Sequence, residues 1–304
     1  MLDLLVVSAC LALFFWSLGD KRIDRLRIFF RAREERVLLI PAAATALWAF
    51  IAITHDRFSP IALLLIAEYF FIPALLLKLS RKEFLKYEEG QKIQLTDTLA
   101  ILAIWFPFDF RITKPAWQLD VIILGEEVGY FLNVLVSFVY TVVIFRAYRG
   151  IDIGFRWKTN AADIKTLALY FLGLVIPLAI ITLATGLTSL GLTKRPELIP
   201  ILLVGGFFHP ALSEELLFRG LFQNMLVKRI GAMAGIIVVS VLFGLGHINN
   251  HQFGFHYPNW PFVGLATVAG IGYGLIYHKR KSLALAAELH IMVDFTHWVF
   301  FGGK

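Results

Sequence analysis

Two carboxylates and a guanidinium stand close together in an apolar stretch of this sequence. Glu214, Glu215 and Arg219 lie within residues 198–227, where most of the other side chains are apolar. Charged groups are costly in hydrocarbon, so a membrane helix that keeps three of them is expected to use them. Glu215 and Arg219 are four residues apart and can pair along one helix face. Glu214 lies about 100° further round the helix and is the predicted general base.

Two later apolar stretches add further polar groups. His247 ends the sequence Phe-Gly-Leu-Gly-His, and His290 and Asp294 are again four residues apart on a predicted helix. From the rise per residue, Glu214 and these three groups lie roughly 12 to 22 Å from the cytoplasmic ends of their spans. Polar residues that only join helices by hydrogen bonds have no reason to share a depth. The pattern therefore predicts one site, built from Glu214, Glu215, Arg219, His247, His290 and Asp294.

The elements that must position these groups are membrane helices. The chain has 304 residues, of which 58% are apolar and 14% aromatic, and its apolar runs have the length of a bilayer span, about 17 to 25 residues. We therefore predict an all-α, polytopic transmembrane bundle of about 8 to 10 spans. The upper estimate of ten spans counts every candidate run: Leu2–Leu18, Val37–Thr54, Ile61–Leu79, Leu95–Phe110, Val121–Phe145, Ile164–Leu187, Leu198–Val227, Ala232–Asn249, Pro261–His278 and Ser282–Phe301.

The net charge of +7 is explained by membrane topology. When Lys and Arg are sorted by alternate loops between these runs, 22 of the 29 fall in one set and 6 in the other, with Arg219 inside a span. Such an excess marks cytoplasmic loops, which predicts that both termini lie outside. We accordingly expect no nucleic-acid partner and an integral, multi-pass protein of a bacterial or archaeal plasma membrane.

Several features of the first half give no function. The first apolar run has no basic residue before it and no cleavage pattern, so we expect a retained anchor. Residues 19–36 combine basic and apolar side chains, which fits either a helix on the anionic inner leaflet or a solvated connection. Glu126 and Glu127 have Phe131 where the later pair has Arg219, which favours an interfacial role. The single cysteine, Cys10, excludes an internal disulfide.

The later motifs resemble those of the CPBP intramembrane peptidases, which include the CAAX-prenyl endopeptidases and the bacteriocin-processing or Abi proteins. The family pattern is E-E-x-x-x-R, then F-x-x-x-H, then H-x-x-x-N or H-x-x-x-D. This chain has Glu214 through Arg219, Phe243 through His247 and His290 through Asp294, in that order. The resemblance covers about residues 164–301. It divides the chain into an N-terminal membrane region of unassigned role, 1–150, and a peptidase core, 151–304.

The resemblance implies hydrolysis of a peptide bond within the membrane. Glu214 and His247 would activate a water molecule, and His290 and Asp294 would stabilise the oxyanion. Glu215 and Arg219 would orient the helix and Glu214. An ionised Asp294 would repel an oxyanion, so we prefer that it fixes the tautomer of His290, although a protonated Asp294 or one that binds a cation remains open.

Other readings of the same residues stay open. A zinc-dependent peptidase would use His247, His290 and Asp294, or Glu214, as ligands and leave one position for water, although no cofactor is the favoured expectation. A binding or immunity module would keep the polar cluster to hold a partner without catalysis. A transporter would use Glu214 and Arg219 as an ion relay, but no inverted repeat is visible in the sequence. The expected substrate is a membrane-presented peptide or protein, with C-terminal processing as one option.

Overall fold

The computed structural model describes residues 2–79, 92–123, 126–156, 158–184, 186–187, 189–192, 196–249 and 257–301. The chain divides into two compact units, Met1–Asp152, called unit 1, and Ile153–Lys304, called unit 2. Almost all described elements are helices, which confirms the predicted polytopic helical bundle.

The described residues of unit 1 form six helices and one small hairpin. The helices are α1 (Leu2–Ser17), α2 (Asp20–Ala32), α3 (Leu39–Thr54, after a 3₁₀ turn at Glu34–Leu38), α4 (Pro60–Leu79), α5 (Leu95–Asp109) and α6 (Gly129–Val142). The last of these continues as a π-helix over Val143–Arg149. A 3₁₀ turn at Lys114–Trp117 and the antiparallel strands β1 (Ile122–Ile123) and β2 (Glu126–Glu127) precede it.

The hairpin corrects one predicted span. The run Val121–Phe145 was expected to be helical throughout, but the helix begins only at Gly129. The backbone N–H of Gly129 donates to a carboxylate oxygen of Glu127 at 2.7 Å, and a Cβ at Gly129 would collide with the carbonyl oxygen of Trp117. This close approach fixes the start of α6, and Glu126 and Glu127 are exposed outside it.

A buried ion pair joins the start of α5 to the π-helical end of α6. Arg149 donates from Nε and Nη2 to the two carboxylate oxygens of Asp97 at 2.7 and 2.8 Å, and both side chains are almost fully buried. Asp97 also accepts from the backbone N–H of Gln94, as in a capping box. Asp97, one of the two acidic residues in the predicted span Leu95–Phe110, is therefore part of the N-terminal cap of α5.

Unit 2 contains the predicted site. Its helices are α7 (Ala161–Ala184), α8 (Ile199–Gly206, after a 3₁₀ turn at Pro196–Leu198), α9 (residues 212–230), α10 (Ala232–Leu245), α11 (Trp260–Arg280) and α12 (Leu283–Phe300). Within α9, the segments Leu212–Glu215 and Asn224–Ile230 are α-helical, and Leu216–Gln223 between them is π-helical.

The predicted span Leu198–Val227 is broken in two. His209 has extended backbone angles, φ −149° and ψ 112°, inside a π-type turn at Phe207–Ala211 that separates α8 from α9. Pro210 has no N–H to donate and its ring crowds the preceding turn. The helix is therefore broken at His209 and Pro210, and the Glu-Glu sequence begins the helix that follows.

The number of long spans is smaller than the ten apolar runs. Among the described residues, six helices are long and apolar enough to cross a membrane, or seven if α1 and α2, bent by 84°, form one span. The helix α10 has 14 residues and α5 has 15, so each is only about 21 to 23 Å long. Both are shorter than the bilayer core of about 30 Å, and the break at Pro210 removes another continuous span.

Small residues let the helices of unit 2 approach closely. A Cβ at Gly270 on α11 would lie 3.0 Å from Nη2 of Arg219 and 3.1 Å from the ring of Phe243. A Cβ at Gly274 would lie 2.5 Å from the side-chain oxygen of Gln223 on α9. The hydrophobic effect does not drive helices together when they are already surrounded by lipid. Membrane helices therefore associate through close van der Waals packing, which small residues allow. This packing brings α9, α10 and α11 together around Arg219.

Candidate active site

Glu215 and Arg219 form an ion pair that is closed off from solvent. Nη1 of Arg219 lies 3.1 Å from Oε1 of Glu215, and neither side chain has any exposed area. Nη2 of Arg219 donates to the backbone oxygen of Gly270 at 2.9 Å, and the guanidinium lies 4.5 Å from the ring centre of Phe243. A buried ion pair needs such additional partners to offset desolvation. Arg219 thereby connects α9 with α10 and α11.

Glu215 has a second partner on the last helix. Nδ1 of His290 lies 3.0 Å from Oε1 of Glu215, the same oxygen that meets Arg219. Since a carboxylate paired with arginine can only accept, Nδ1 carries the proton in this contact. The ring of Tyr273 stacks on the imidazole of His290 with 4.6 Å between centres and an angle of 18°. The ring of His290 is therefore fixed from α9 and from α11.

The other nitrogen of His290 faces two more carboxylates. Nε2 lies 3.5 Å from Oδ2 of Asp294 and 3.9 Å from Oε2 of Glu214. The side chains of Asp294 and Glu214 keep 28% and 27% of their areas exposed, in contrast to the closed Glu215. The two adjacent glutamates thus differ: Glu215 is a buried bridge and Glu214 opens to a cavity.

His247 presents one defined nitrogen to its surroundings. Its Nδ1 lies 2.9 Å from the backbone oxygen of Phe243, one turn earlier. A carbonyl oxygen only accepts, so Nδ1 carries the proton and Nε2 of the neutral ring is an acceptor. Such a nitrogen can accept a hydrogen bond from a water molecule.

One cavity of unit 2 collects the four groups with predicted chemical roles. It has a volume of about 270 Å³ and is lined by Glu214, His247, His290 and Asp294. Its remaining wall is mostly apolar and aromatic, formed by Val175, Leu178, Ala179, Thr182, Pro210, Phe243, Phe262, Leu265, Ala266, Ala269, Tyr273, Val293, Thr296, His297, Trp298 and Phe301. Carboxylates and imidazoles in an apolar cavity can take and return the proton of a water molecule. Four of the six residues grouped by spacing therefore line one cavity.

A comparison with family models matches the part of the chain that contains these residues. Residues 196–296 match the model described as Rce1-like, type II CAAX prenyl endopeptidase Rce1-like. Over these residues, called the Rce1-like region, the chain is similar to that family. No curated protein and no solved structure matches the chain.

The Rce1-like region contains all six residues singled out from the sequence. It extends from the 3₁₀ turn before α8 into α12 and confirms the CPBP family resemblance seen in the three motifs. The family is one of endopeptidases, which supports a membrane protease. Part of the cavity wall lies outside the match, because Val175, Leu178, Ala179 and Thr182 come from α7.

The residues considered as zinc ligands, His247, His290, Asp294 and Glu214, all line the cavity. Among the described residues, no group of three or more His, Cys, Asp or Glu side chains is arranged to hold a metal ion. One nitrogen of His247 is engaged by the backbone, and Nδ1 of His290 is engaged by Glu215. His251 and His256, two further histidines of the sequence, lie outside the described residues.

Sequence reasoning missed the contribution of α11. Gly270 supplies a carbonyl to Arg219, and Tyr273 stacks on His290, yet neither belongs to a motif. The sequence feature that could have indicated this contribution is the group of small residues in α11, Ala266, Ala269 and Gly270. Small residues in a membrane helix are typical of a close contact with another helix. The contact between Glu215 and His290 was also missed, because it joins residues 75 positions apart.

Proposed function

We propose that this chain is an intramembrane endopeptidase that hydrolyses a peptide bond with a water molecule activated by Glu214 and His247. The observation that carries the proposal is the shared cavity of Glu214, His247, His290 and Asp294. The similarity of residues 196–296 to the Rce1-like family supports the same class of enzyme. A binding module would need no such grouping of proton acceptors and donors.

In the proposed first step, the carboxylate of Glu214 takes a proton from water. Nε2 of His247 orients the same water, since its Nδ1 is bonded to the backbone of Phe243. The water oxygen attacks the carbonyl carbon and a tetrahedral intermediate forms. Glu214 then delivers its proton to the leaving nitrogen as the C–N bond breaks, so that acid and base are one residue.

His290 is the proposed donor to the oxyanion. Because Nδ1 is bonded to Glu215, a donor role for Nε2 requires the doubly protonated ring. Three carboxylates lie beside that ring and can balance the positive charge of an imidazolium: those of Glu215, Glu214 and Asp294. A fixed N–H in a low-dielectric cavity stabilises developing negative charge strongly. We assign Asp294 a role through His290, beside Nε2, because direct contact with an oxyanion would be repulsive.

Purified full-length protein in detergent tests the proposal with an internally quenched peptide of the CAAX type, with and without a prenyl group. We expect cleavage by the wild-type protein and its loss in His247→Ala and His290→Ala. The comparison of the two peptides decides whether this chain requires a prenylated substrate, as the description of the family suggests. If both variants cleave like wild type while inserting normally, the proposed mechanism is wrong.

The metal-free version of this mechanism predicts resistance to chelation. Activity after incubation with 1,10-phenanthroline and removal of the chelator is expected to stay within about twofold of its starting value, because the water is activated by Glu214 and not by a Lewis acid. Elemental analysis of the same sample should find zinc well below one atom per chain. Loss of activity that added zinc restores would instead establish the zinc-dependent version with His247, His290 and Asp294.

We also propose that both termini face away from the cytoplasm, on the distribution of Lys and Arg among the loops. Alkaline phosphatase fused after Lys304 should then be active in a bacterial host, and green fluorescent protein fused there should be dark. The opposite pair of results would reverse the orientation.

A further inference from the structure

Unit 1 has an apolar crevice that the proposed peptidase chemistry does not use. Its volume is about 230 Å³, and it lies between α1 and α3 with α6 as its floor. The residues that line it are Cys10, Leu13, Trp16, Leu26, Ile40, Ala43, Ala44, Leu47, Leu135, Val136, Val139, Tyr140 and Val143. Every one of these residues belongs to unit 1, so the crevice is complete without the peptidase site.

The crevice has a buried floor and an open rim. Cys10 and Tyr140 are almost fully buried, whereas Leu13 keeps 46% of its area exposed. The hydroxyl of Tyr140 donates to the backbone oxygen of Phe70 and does not serve the crevice. An open crevice without available polar groups is suited to a hydrocarbon chain and poorly suited to water or to a polar ligand.

A basic helix stands at one end of this crevice. The axis of α2 is bent by 84° from that of α1, so when α1 crosses the membrane α2 lies along its surface. Lys21, Arg22 and Arg25 are exposed and form no ion pair within the described part of the chain. Arg27, in contrast, pairs with Asp24 at 2.9 Å. The helix therefore presents uncompensated positive charge at the depth of lipid headgroups.

Contacts with the π-helical end of α6 fix α2 in this position. Nε of Arg27 donates to the backbone oxygen of Arg146 at 3.0 Å, and Nη2 of Arg146 donates to Asp20 at 2.6 Å. The buried ring of Phe30 meets the ring of Tyr148 edge-on at 5.8 Å. A helix anchored on its inner face holds its outer basic face in a defined place.

The basic residues are adjacent to the crevice. Leu26 of α2 is one of its lining residues, and Arg22 lies one turn earlier on the same face. The side chain of Arg22 folds over the turn between the two helices, where its Cδ lies 3.4 Å from the position of a Cβ on Gly19. Trp16, which lines the crevice, lies at the end of α1 just before this turn.

We propose that unit 1 binds an anionic glycerophospholipid, with one acyl chain in the crevice and the phosphate held by Arg22 and Arg25. The apolar crevice suits the chain, and guanidinium groups suit the phosphate geometrically and electrostatically. The positive charge of α2 favours an anionic over a zwitterionic headgroup. This binding site is independent of the peptidase mechanism proposed for unit 2.

Native mass spectrometry of the full chain, released from detergent micelles with added lipid, tests this proposal. The two lipids are phosphatidylglycerol and phosphatidylcholine with identical acyl chains. Wild-type protein is expected to retain phosphatidylglycerol preferentially. The double substitution Arg22→Gln with Arg25→Gln should weaken retention about 25-fold, since each basic residue contributes about fivefold. The control Arg31→Gln, on α2 but about 13 Å along the helix from Arg22, should retain lipid like wild type.

A second variant tests the place of the acyl chain. Ala43→Trp puts a large ring into the crevice from its exposed rim and should reduce retention of both lipids. Unchanged peptide cleavage and an unchanged melting temperature would show that the variant is folded. Equal retention of the two lipids by wild type, or normal retention by Ala43→Trp, would overturn the proposal. Loss of peptidase activity in Glu214→Gln with normal lipid retention is expected, because the two sites are separate.

Discussion

Replacement of Glu214 by Gln is expected to lower the rate of peptide hydrolysis by about 10² to 10⁴-fold, the usual contribution of a general base. The amide keeps the shape and the hydrogen-bonding size of the carboxylate but cannot take a proton from water at neutral pH. Since 27% of the Glu214 side chain is exposed to the cavity, the substitution should leave the fold intact. Steady-state cleavage of the quenched peptide measures the effect, and substrate binding should change little.

A matched substitution makes this result specific. Glu68 lies in α4 of unit 1, in an apolar membrane helix, and its side chain is exposed. Glu68→Gln removes the same charge from the same kind of environment and should leave hydrolysis within about twofold of wild type. Near-normal cleavage by Glu214→Gln would refute the assigned base. It would favour the module that binds a partner without catalysis, for which this substitution is harmless.

The sequence could group the candidate residues because ionisable side chains are conspicuous in apolar, membrane-spanning runs. Glu214, His247, His290 and Asp294 were found by type and spacing in apolar runs, and the structure brings them to one cavity. The pairing of Glu215 with Arg219 followed from helix geometry alone, and its distance of 3.1 Å confirms that contact. Both inferences depend on residue spacing along a single helix, and this spacing is the same whatever the tertiary structure.

The contacts between helices could not be predicted in this way. The hydrogen bond from His290 to Glu215 and the stacking of Tyr273 depend on how α9, α11 and α12 pack. Asp294 was expected to fix the tautomer of His290, but the closer contact, at Nδ1, comes from Glu215. The continuous spans at Leu198–Val227 and Val121–Phe145 were wrong where backbone geometry overrides hydropathy, at Pro210 and before Gly129.

The double role of Glu215 links the stability of unit 2 to its chemistry. A single buried oxygen receives the guanidinium of Arg219 and the imidazole of His290. Oε1 of Glu215 therefore has two partners inside the protein, whereas the Glu214 side chain is 27% exposed, which supports the proposal that Glu214 is the carboxylate that takes a proton from water. Arg219 never touches the cavity, yet it holds the residue that orients His290. We accordingly regard Arg219 and Glu215 as positioning residues.

Arg219→Gln is expected to reduce the free energy of unfolding by about 3 to 5 kcal/mol, the usual cost of leaving one charge of a buried pair without its partner. The guanidinium also loses its hydrogen bond to Gly270 and its contact with the ring of Phe243. Unfolding of the full chain in mixed micelles measures the change. Arg57→Gln is the matched control, because its pair with Asp120 is more than half exposed on both sides and should contribute less than about 1 kcal/mol.

The double variant Glu215→Gln with Arg219→Gln separates stability from catalysis. With both charges gone, no buried charge is left without a partner, so the double variant should be more stable than Arg219→Gln alone. Hydrolysis should nevertheless stay low, since His290 no longer meets an ionised carboxylate at Nδ1 and its doubly protonated ring loses support. A double variant that regains stability and full activity together would mean that the pair only holds the helices in place. Recovery of stability without activity would instead require that the charge of Glu215 acts on His290.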